Sequence, residues 1–114
     1  MAGYTPHVMS TQNQNTLKRK TQMNEQTKEI LVILQEECAE VIVEVSKCFR
    51  FGPDQMMEGL DVTNIQRLEK EIGDLQAMIQ LLVKQKVGVS QEGINLSKAK
   101  KFEKLKVYSN IKIK

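Results

Sequence analysis

The sequence predicts an all-α protein, a helical bundle completed by homo-oligomerisation. Three observations carry that expectation. Apolar residues recur at intervals of three and four through residues 24–49 and 64–86, the period of an amphipathic helix. The core builders are aliphatic: aromatic residues make up 4% of the chain and tryptophan is absent. The chain has only 114 residues, and both main helices carry apolar arcs too broad for one neighbour to cover. Three helices of this size shield one another poorly, so a homodimer or homotetramer is expected on burial grounds alone.

Taken in order, residues 1–22 are polar and rich in Thr, Gln and Asn, which reads as a flexible N-terminal extension. Residues 23–114 form a single helical domain with a basic C-terminal helix and tail. Its first helix is expected over Asn24–Phe49. Asn24 suits the N-cap, Glu25 complements the positive end of the dipole, and Gly52-Pro53 stops the helix. The connection, residues 51–63, is broken by Gly, Pro and Asp. Met56, Met57 and Leu60 are expected to fold back on the bundle, with room for a short helical turn. The second helix is expected over Asn64–Lys86, capped by Thr63 or Asn64 and stopped by Gly88. Gly73 lies inside it, at a cost of about 1 kcal/mol against Ala, and is either tolerated or allows a close approach. The third helix begins at Ser90 or Gln91 and ends at Tyr108. Leu96, Ala99, Phe102 and Leu105 form its core stripe, beside a lysine row at Lys98, Lys101 and Lys104.

Two carboxylate pairs organise the chain: Glu37 with Glu40 on the first helix, and Glu71 with Asp74 on the second. Each is spaced i,i+3, so its members share a face one turn apart. On a wheel set at Glu37, Ile30, Leu34, Cys38, Val41, Ile42 and Val45 cover an arc from about 20° to 140°. Set at Glu71, the residues Leu68, Ile72, Leu75, Ile79, Leu82 and Val83 cover nearly the same arc. Both acid pairs flank their stripe on the same side. If the stripes pack together, four hard oxygen donors meet beside the seam and suit Mg²⁺ or Mn²⁺. A solvated acidic face is the plainer alternative for either pair alone. Lys47 lies on the same flank and reads first as an ion-pair partner, second as a phosphate contact.

This arrangement resembles the MazG-like, all-α nucleoside triphosphate pyrophosphohydrolases. The matching text is EECAE, SKCFRFG and LEKEIGDLQAMIQLL, within roughly residues 25–88, with a weaker match in the tail KAKKFEKLKVYS. The resemblance implies an oligomer that uses Mg²⁺, with Mn²⁺ able to substitute, to cleave a (deoxy)nucleoside triphosphate to monophosphate and pyrophosphate. By motif position it implies Glu37, Glu40, Glu71 and Asp74 as metal ligands. Glu44 and Glu36 follow as candidates for orienting water. Lys98, Lys101 and Lys104 are candidate phosphate contacts, and Tyr108 stands where an aromatic could stack on a base. The compact form is similar to phage-encoded members, which fits a role on the dNTP pool. The chain departs from larger relatives in having few aromatics to sandwich a base, and residues 1–22 have no counterpart in the pattern.

Charge is strongly segregated behind a net +3. Residues 25–74 carry −7, residues 75–114 carry +7, and residues 1–24 carry +3. Acids for a metal and bases for phosphates fit a polyphosphate site. The competing reading is a non-enzymatic oligomeric adaptor that binds nucleic acid through its basic tail; with the acid pairs present, nucleic acid is the less expected partner. Cys38 and Cys48, ten residues apart on one helix, cannot join in an intrahelical disulfide and read as mostly buried thiols in a reducing compartment. His7 is the single histidine, which argues against histidine catalysis and a structural zinc site. There is no phosphate-binding Gly-rich loop and no Ser/His/Asp arrangement. No apolar run is long enough to span a membrane and no signal peptide is evident, so a cytoplasmic protein is expected.

Overall fold

In the computed structural model, residues 23–56 and 59–114 are described; the expected flexible extension, His7 within it, and Met57 lie outside them. Three helices account for the regular structure of the described residues: α1 (Glu25–Phe51), α2 (Asn64–Lys84) and α3 (Gln91–Tyr108). Local chemistry sets their ends. The Asn24 side chain accepts a hydrogen bond from the Thr27 N–H at 2.7 Å, and Gly52 ends α1 at φ +96°, a value that suits glycine. Thr63 and Gln66 form a reciprocal capping box on α2. Ser90 caps α3 by accepting from the Gly93 N–H at 3.0 Å.

Two ends differ from expectation. Helix α1 continues two residues further, to Phe51, where Arg50 favours the negative end of the dipole. Helix α2 stops two residues early, because the Gln85 N–H turns back to the Leu82 carbonyl and Lys86 adopts a left-handed φ of +57°. In the connection, Met56 and Thr63 form an isolated antiparallel bridge and no helical turn occurs among the described residues. Met56 and Leu60 stay exposed instead of folding back.

Helices α1 and α2 form an antiparallel hairpin. The start of α1 meets the end of α2 where Thr27 Oγ1 donates to Gln85 Oε1 at 2.9 Å. At the other end, Asn64 Nδ2 donates to the Gly52 carbonyl at 2.9 Å. The buried and half-buried positions of α1 include Thr27, Ile30, Leu34, Glu37, Val41, Glu44 and Cys48, at alternating intervals of three and four. On α2 and its C-cap they include Asn64, Leu68, Glu71, Leu75, Met78, Leu82 and the cap residue Gln85, at the same intervals. This is the heptad seam of paired helices.

The seam is rotated from the expected stripe toward the acid flank. Cys38, Ile42, Val45 and Ile72 are exposed, Ile42 to 70%. Cys38 is therefore not the buried thiol anticipated, while Cys48 is half-buried. The physical reason is the breadth of the arcs. Two helices can share only one edge each, and they meet on the edge that includes Glu37, Glu44 and Glu71. Ile30 and Leu82, each 6% exposed, are the best-buried apolar side chains among the described residues.

Helix α3 stands away from the hairpin. The Cα radius of gyration is 19.9 Å, against about 13 Å for a compact chain of this length. Its expected core stripe is not a core within one chain: Leu96 and Phe102 are exposed, Ala99 is exposed and only Leu105 is half-covered. The turn at residues 85–88 directs α3 off the hairpin, so its stripe has little to pack against among the described residues. No helix among the described residues is long and apolar enough to cross a membrane.

Candidate functional site

The rotated seam brings acids from both helices together. One carboxylate oxygen from each of Glu37, Glu71 and Asp74 lies within 4.8 Å of the others. Glu37 comes from the middle of α1, and Glu71 and Asp74 from consecutive turns of α2, so the i,i+3 spacing aims two carboxylates at one glutamate across the seam. Glu71 is 9% exposed, and Glu37 and Asp74 are half-buried. Like charges this close raise one another's proton affinity. Partial burial first, then the charge of Asp74, then a hydrogen bond shared with Glu71 and its charge hold the Glu37 carboxyl above its ordinary value; Lys70 pulls in the opposite direction.

Lys70 is the cation of this site, and the sequence reading did not single it out. Its ammonium donates to Asp74 Oδ2 at 2.8 Å and reaches Glu71 Oε1 at 3.4 Å. The hydrogen bond to Asp74 and that residue's charge, followed by those of Glu71, push the Lys70 pKa up, against a small opposing effect of burial. The available signal was the i,i+4 spacing of Lys70 and Asp74. The structure thus places one ammonium against two of the three carboxylates, Asp74 and Glu71.

The other residues singled out by sequence lie apart from this cluster. Glu40, the fourth expected ligand, is exposed one turn beyond Glu37 and outside the three-residue group. Glu36 is exposed. Glu44 is 1% exposed and fully engaged: Arg67 Nε meets Oε2 at 3.3 Å, and Lys47 Nζ meets Oε1 at 3.3 Å. Lys47 therefore serves Glu44. Arg67 was missed because its partner is 23 residues away on the other helix. Gly73 is exposed, and a Cβ built there meets nothing within 4 Å among the described residues.

On α3, Lys98, Lys101 and Lys104 are exposed, and Tyr108 is 84% exposed. Lys98 and Lys101 line a shallow groove of about 490 Å³ with Ser90, Gly93 and Ile94 at the start of the helix. Lys98 also borders a second groove of about 420 Å³, shared with Gln76, Ile79 and Gln80 of α2. Within one chain the lysine row and the carboxylates form separate features.

The donor set suits a hard divalent cation. Three carboxylates on rigid helices supply oxygens only, the preference of Mg²⁺ and Mn²⁺. Oxygens in an octahedral Mg²⁺ shell stand about 3 Å apart when adjacent and about 4 Å when opposite, so the three oxygens, within 4.8 Å of one another, would have to draw closer to share one ion. No protein-family model, curated protein or solved structure matches this chain.

Proposed function

We propose that this chain is a metal-dependent nucleoside triphosphate pyrophosphohydrolase, acting on an NTP or dNTP to give the monophosphate and pyrophosphate. One observation carries the reading: Glu37, Glu71 and Asp74 converge from two helices into a single oxygen-donor cluster. The likeness of EECAE and LEKEIGDLQAMIQLL to the MazG-like pattern supports the choice of substrate class.

Glu37, Glu71 and Asp74 would hold Mg²⁺ or Mn²⁺, with Glu40 one turn away as a fourth carboxylate. A cation bound there supplies charge neutralisation to the phosphates and acidifies a water. The chain's own groups do the rest. Lys70 keeps the acids partly neutralised without the metal and is exposed enough to swing aside. Glu36 remains a candidate for orienting water although it lies about 100° around α1 from Glu37. Lys98, Lys101 and Lys104 bind phosphate oxygens, and Tyr108 stacks on the base.

Homo-oligomerisation belongs to the same reading. Within one chain, Ile42, Phe49 (87% exposed) and Ile72 remain in contact with water, as does the α3 stripe. A second copy covering these faces, in a dimer or a dimer of dimers, supplies the missing core and brings a lysine row toward an acidic hairpin.

A second reading has one observation in its favour: the basic arm α3 stands clear of the hairpin with Lys98, Lys101 and Lys104 exposed toward a nucleic-acid backbone. An NTP and dNTP panel with Mg²⁺, scored for pyrophosphate against phosphate, decides between them. Pyrophosphate release that stops on chelation supports the enzyme. No turnover, with salt-sensitive binding to DNA or RNA, supports the adaptor.

A further inference from the structure

The hairpin has two unlike faces. On wheels set at Glu37 and Glu71, turning about 60° to 140° from the seam leads to Cys38, Ile42, Val45 and Phe49 on α1 and to Ile65, Leu68 and Ile72 on α2. Because the helices run antiparallel, the same sense of rotation on each leads to the same side of the hairpin. None of the charged residues of the two helices, nine on α1 and six on α2, falls in that arc. Turning about 40° to 100° the other way leads to Glu36, Glu40 and Lys47, and to Arg67, Lys70 and Asp74. The seam itself holds Glu37, Glu44 and Glu71. The face left in water is therefore freer of charge than the seam that is enclosed. Depletion of charge is what marks the centre of an interface against ordinary surface.

Ile42 and Phe49 are mostly in water, and Cys38, Val45, Ile65 and Ile72 are exposed beside them. Scaled from these exposures, the face leaves on the order of 500 Å² of apolar side chain in water, toward the upper end of what a monomer shows. Two such faces closed on each other bury about 1,000 Å², enough for a specific interface before any rim is counted. The face also carries its own counterpart. Ile65, Leu68, Glu69 and Ile72 ring a hollow of about 280 Å³, room for an aromatic ring, and Phe49 projects from the same face at that end of the hairpin. Self-complementarity within one patch is the requirement of a two-fold contact that closes. Helix α3 of the same chain suits the face poorly. It borders α2 along the groove at Gln76, Ile79 and Gln80, toward the other end. Its row Leu96, Ala99, Phe102 and Leu105 turns about 60° around the helix at each step, and Lys98, Lys101 and Lys104 wind beside it. Laid on a flat face, that row carries lysines in with it.

We infer that a second copy of this chain docks on this face, each Phe49 seated in the other's hollow at Ile65, Leu68 and Ile72, while the acid cluster of each copy opens on the side turned away from the contact. The inference rests on the homo-oligomer of the proposed function and assigns that assembly one face. It leaves each cluster of Glu37, Glu71 and Asp74 to be formed within a single chain, and it does not depend on what the cluster binds.

Cys38 lies within the face and reports on it. In a Cys48→Ala background of the full chain it is the only thiol. Sedimentation equilibrium at micromolar concentration gives the mass, and an aromatic disulfide reagent gives the labelling rate. Glu29→Cys, on the charged side of α1 in a Cys38→Ser/Cys48→Ala background, is the control. We expect an oligomer in which Cys38 is labelled about tenfold or more slowly than in a monomeric Phe49→Asp variant, because labelling then waits for dissociation. Phe49 is in water within one chain, so Phe49→Asp should keep its helicity; Phe49→Ser, which adds no charge, serves if it does not. The Glu29→Cys rate should be the same with and without Phe49→Asp. A helical monomer overturns the inference together with the homo-oligomer. An oligomer whose Cys38 is labelled as fast as Glu29→Cys, or one that survives Phe49→Asp unchanged, overturns the face alone. Neither readout involves a cation, so the metal reading stands or falls separately.

Discussion

Glu71→Gln should have opposite effects with and without a divalent cation. Glu71 is the most buried member of the cluster, and its neighbour Asp74 lies within 4.8 Å. Two unit charges at that distance are worth about 3.5 kcal/mol at an effective dielectric near 20. Water on the exposed side of Asp74 and the nearby Lys70 ammonium reduce the net repulsion, leaving a gain of about 1 kcal/mol when Glu71 loses its charge. Gln has nearly the helix propensity of Glu and the same shape, so α2 is preserved. In chelator, the variant should therefore melt about 4–8 °C above the parent for a domain of this size. In Mg²⁺ the order reverses. At one hundred times its dissociation constant, a ligand that binds only the folded state adds about 2.7 kcal/mol to the parent, and the variant gains little of it. Thermal melts by circular dichroism, in chelator and in a Mg²⁺ series, read both arms, and pyrophosphate release should be lost in parallel. Equal Mg²⁺ shifts in parent and variant, or a variant less stable in chelator, would refute the argument that these acids form a strained cation site.

Other expectations are independent of that one. Lys101→Gln/Lys104→Gln should raise KM for the nucleotide with little change in kcat, the effect shrinking in high salt; steady-state kinetics at two ionic strengths check it. Gly73→Ala adds a methyl that meets nothing among the described residues and should raise stability by about 1 kcal/mol in urea melts, whereas a loss would place another segment against Gly73. The raised Glu37 pKa means that the native state binds the proton more tightly than the unfolded chain, whose value lies near 4.5. Between those two values the native state holds more protons, so this group's contribution to stability falls as pH rises through the interval and is constant above it. Urea melts of metal-free parent and Glu37→Gln between pH 4 and about 7 should show that slope in their difference. Light scattering at micromolar concentration should show a dimer or tetramer, and a monomer with full helicity would remove the case for shared apolar faces.

Much of this geometry could be read from the sequence because it is local. Asn24, Thr63 and Ser90 announce three helix starts, and each accepts the backbone N–H that its position predicts. The convergence of Glu37 with Glu71 and Asp74 follows from two i,i+3 pairs on helices joined by a short connection. What the sequence hid is which edge of each helix faces the other. The apolar arcs of α1 and α2 run without a break into the acid flank, so periodicity permits a seam centred on Cys38 and Ile72 as readily as one centred on Glu37 and Glu71. The choice is made by pairs distant in sequence: Arg67 with Glu44, and Thr27 with Gln85. Burial of Glu44 was invisible for the same reason. The stand-off of α3 depends on the backbone at residues 85–88, where Lys86 takes a conformation that its residue type does not advertise.

The position of the acids also bears on why the hairpin is built so poorly as a monomer. A seam meant only for stability would turn Ile42, Val45 and Ile72 inward and leave the carboxylates to water. This chain does the reverse: it encloses Glu37, Glu44, Glu71 and Thr27, and exposes much of its aliphatic surface. Enclosure gives the carboxylates fixed positions and a lower local dielectric, both of which would strengthen the hold on a cation that the proposed function assigns to them. It also removes apolar contacts from the seam and adds repulsion, which weakens the isolated hairpin. In the proposed oligomer, coverage of the exposed residues Ile42, Phe49 and Ile72 by a second copy would return the lost burial without disturbing the acids. On this view assembly and cation binding are coupled through stability. Weakening the apolar face, as in Ile42→Asp, should lower cation affinity without touching a ligand, and added cation should shift the variant back toward the oligomer.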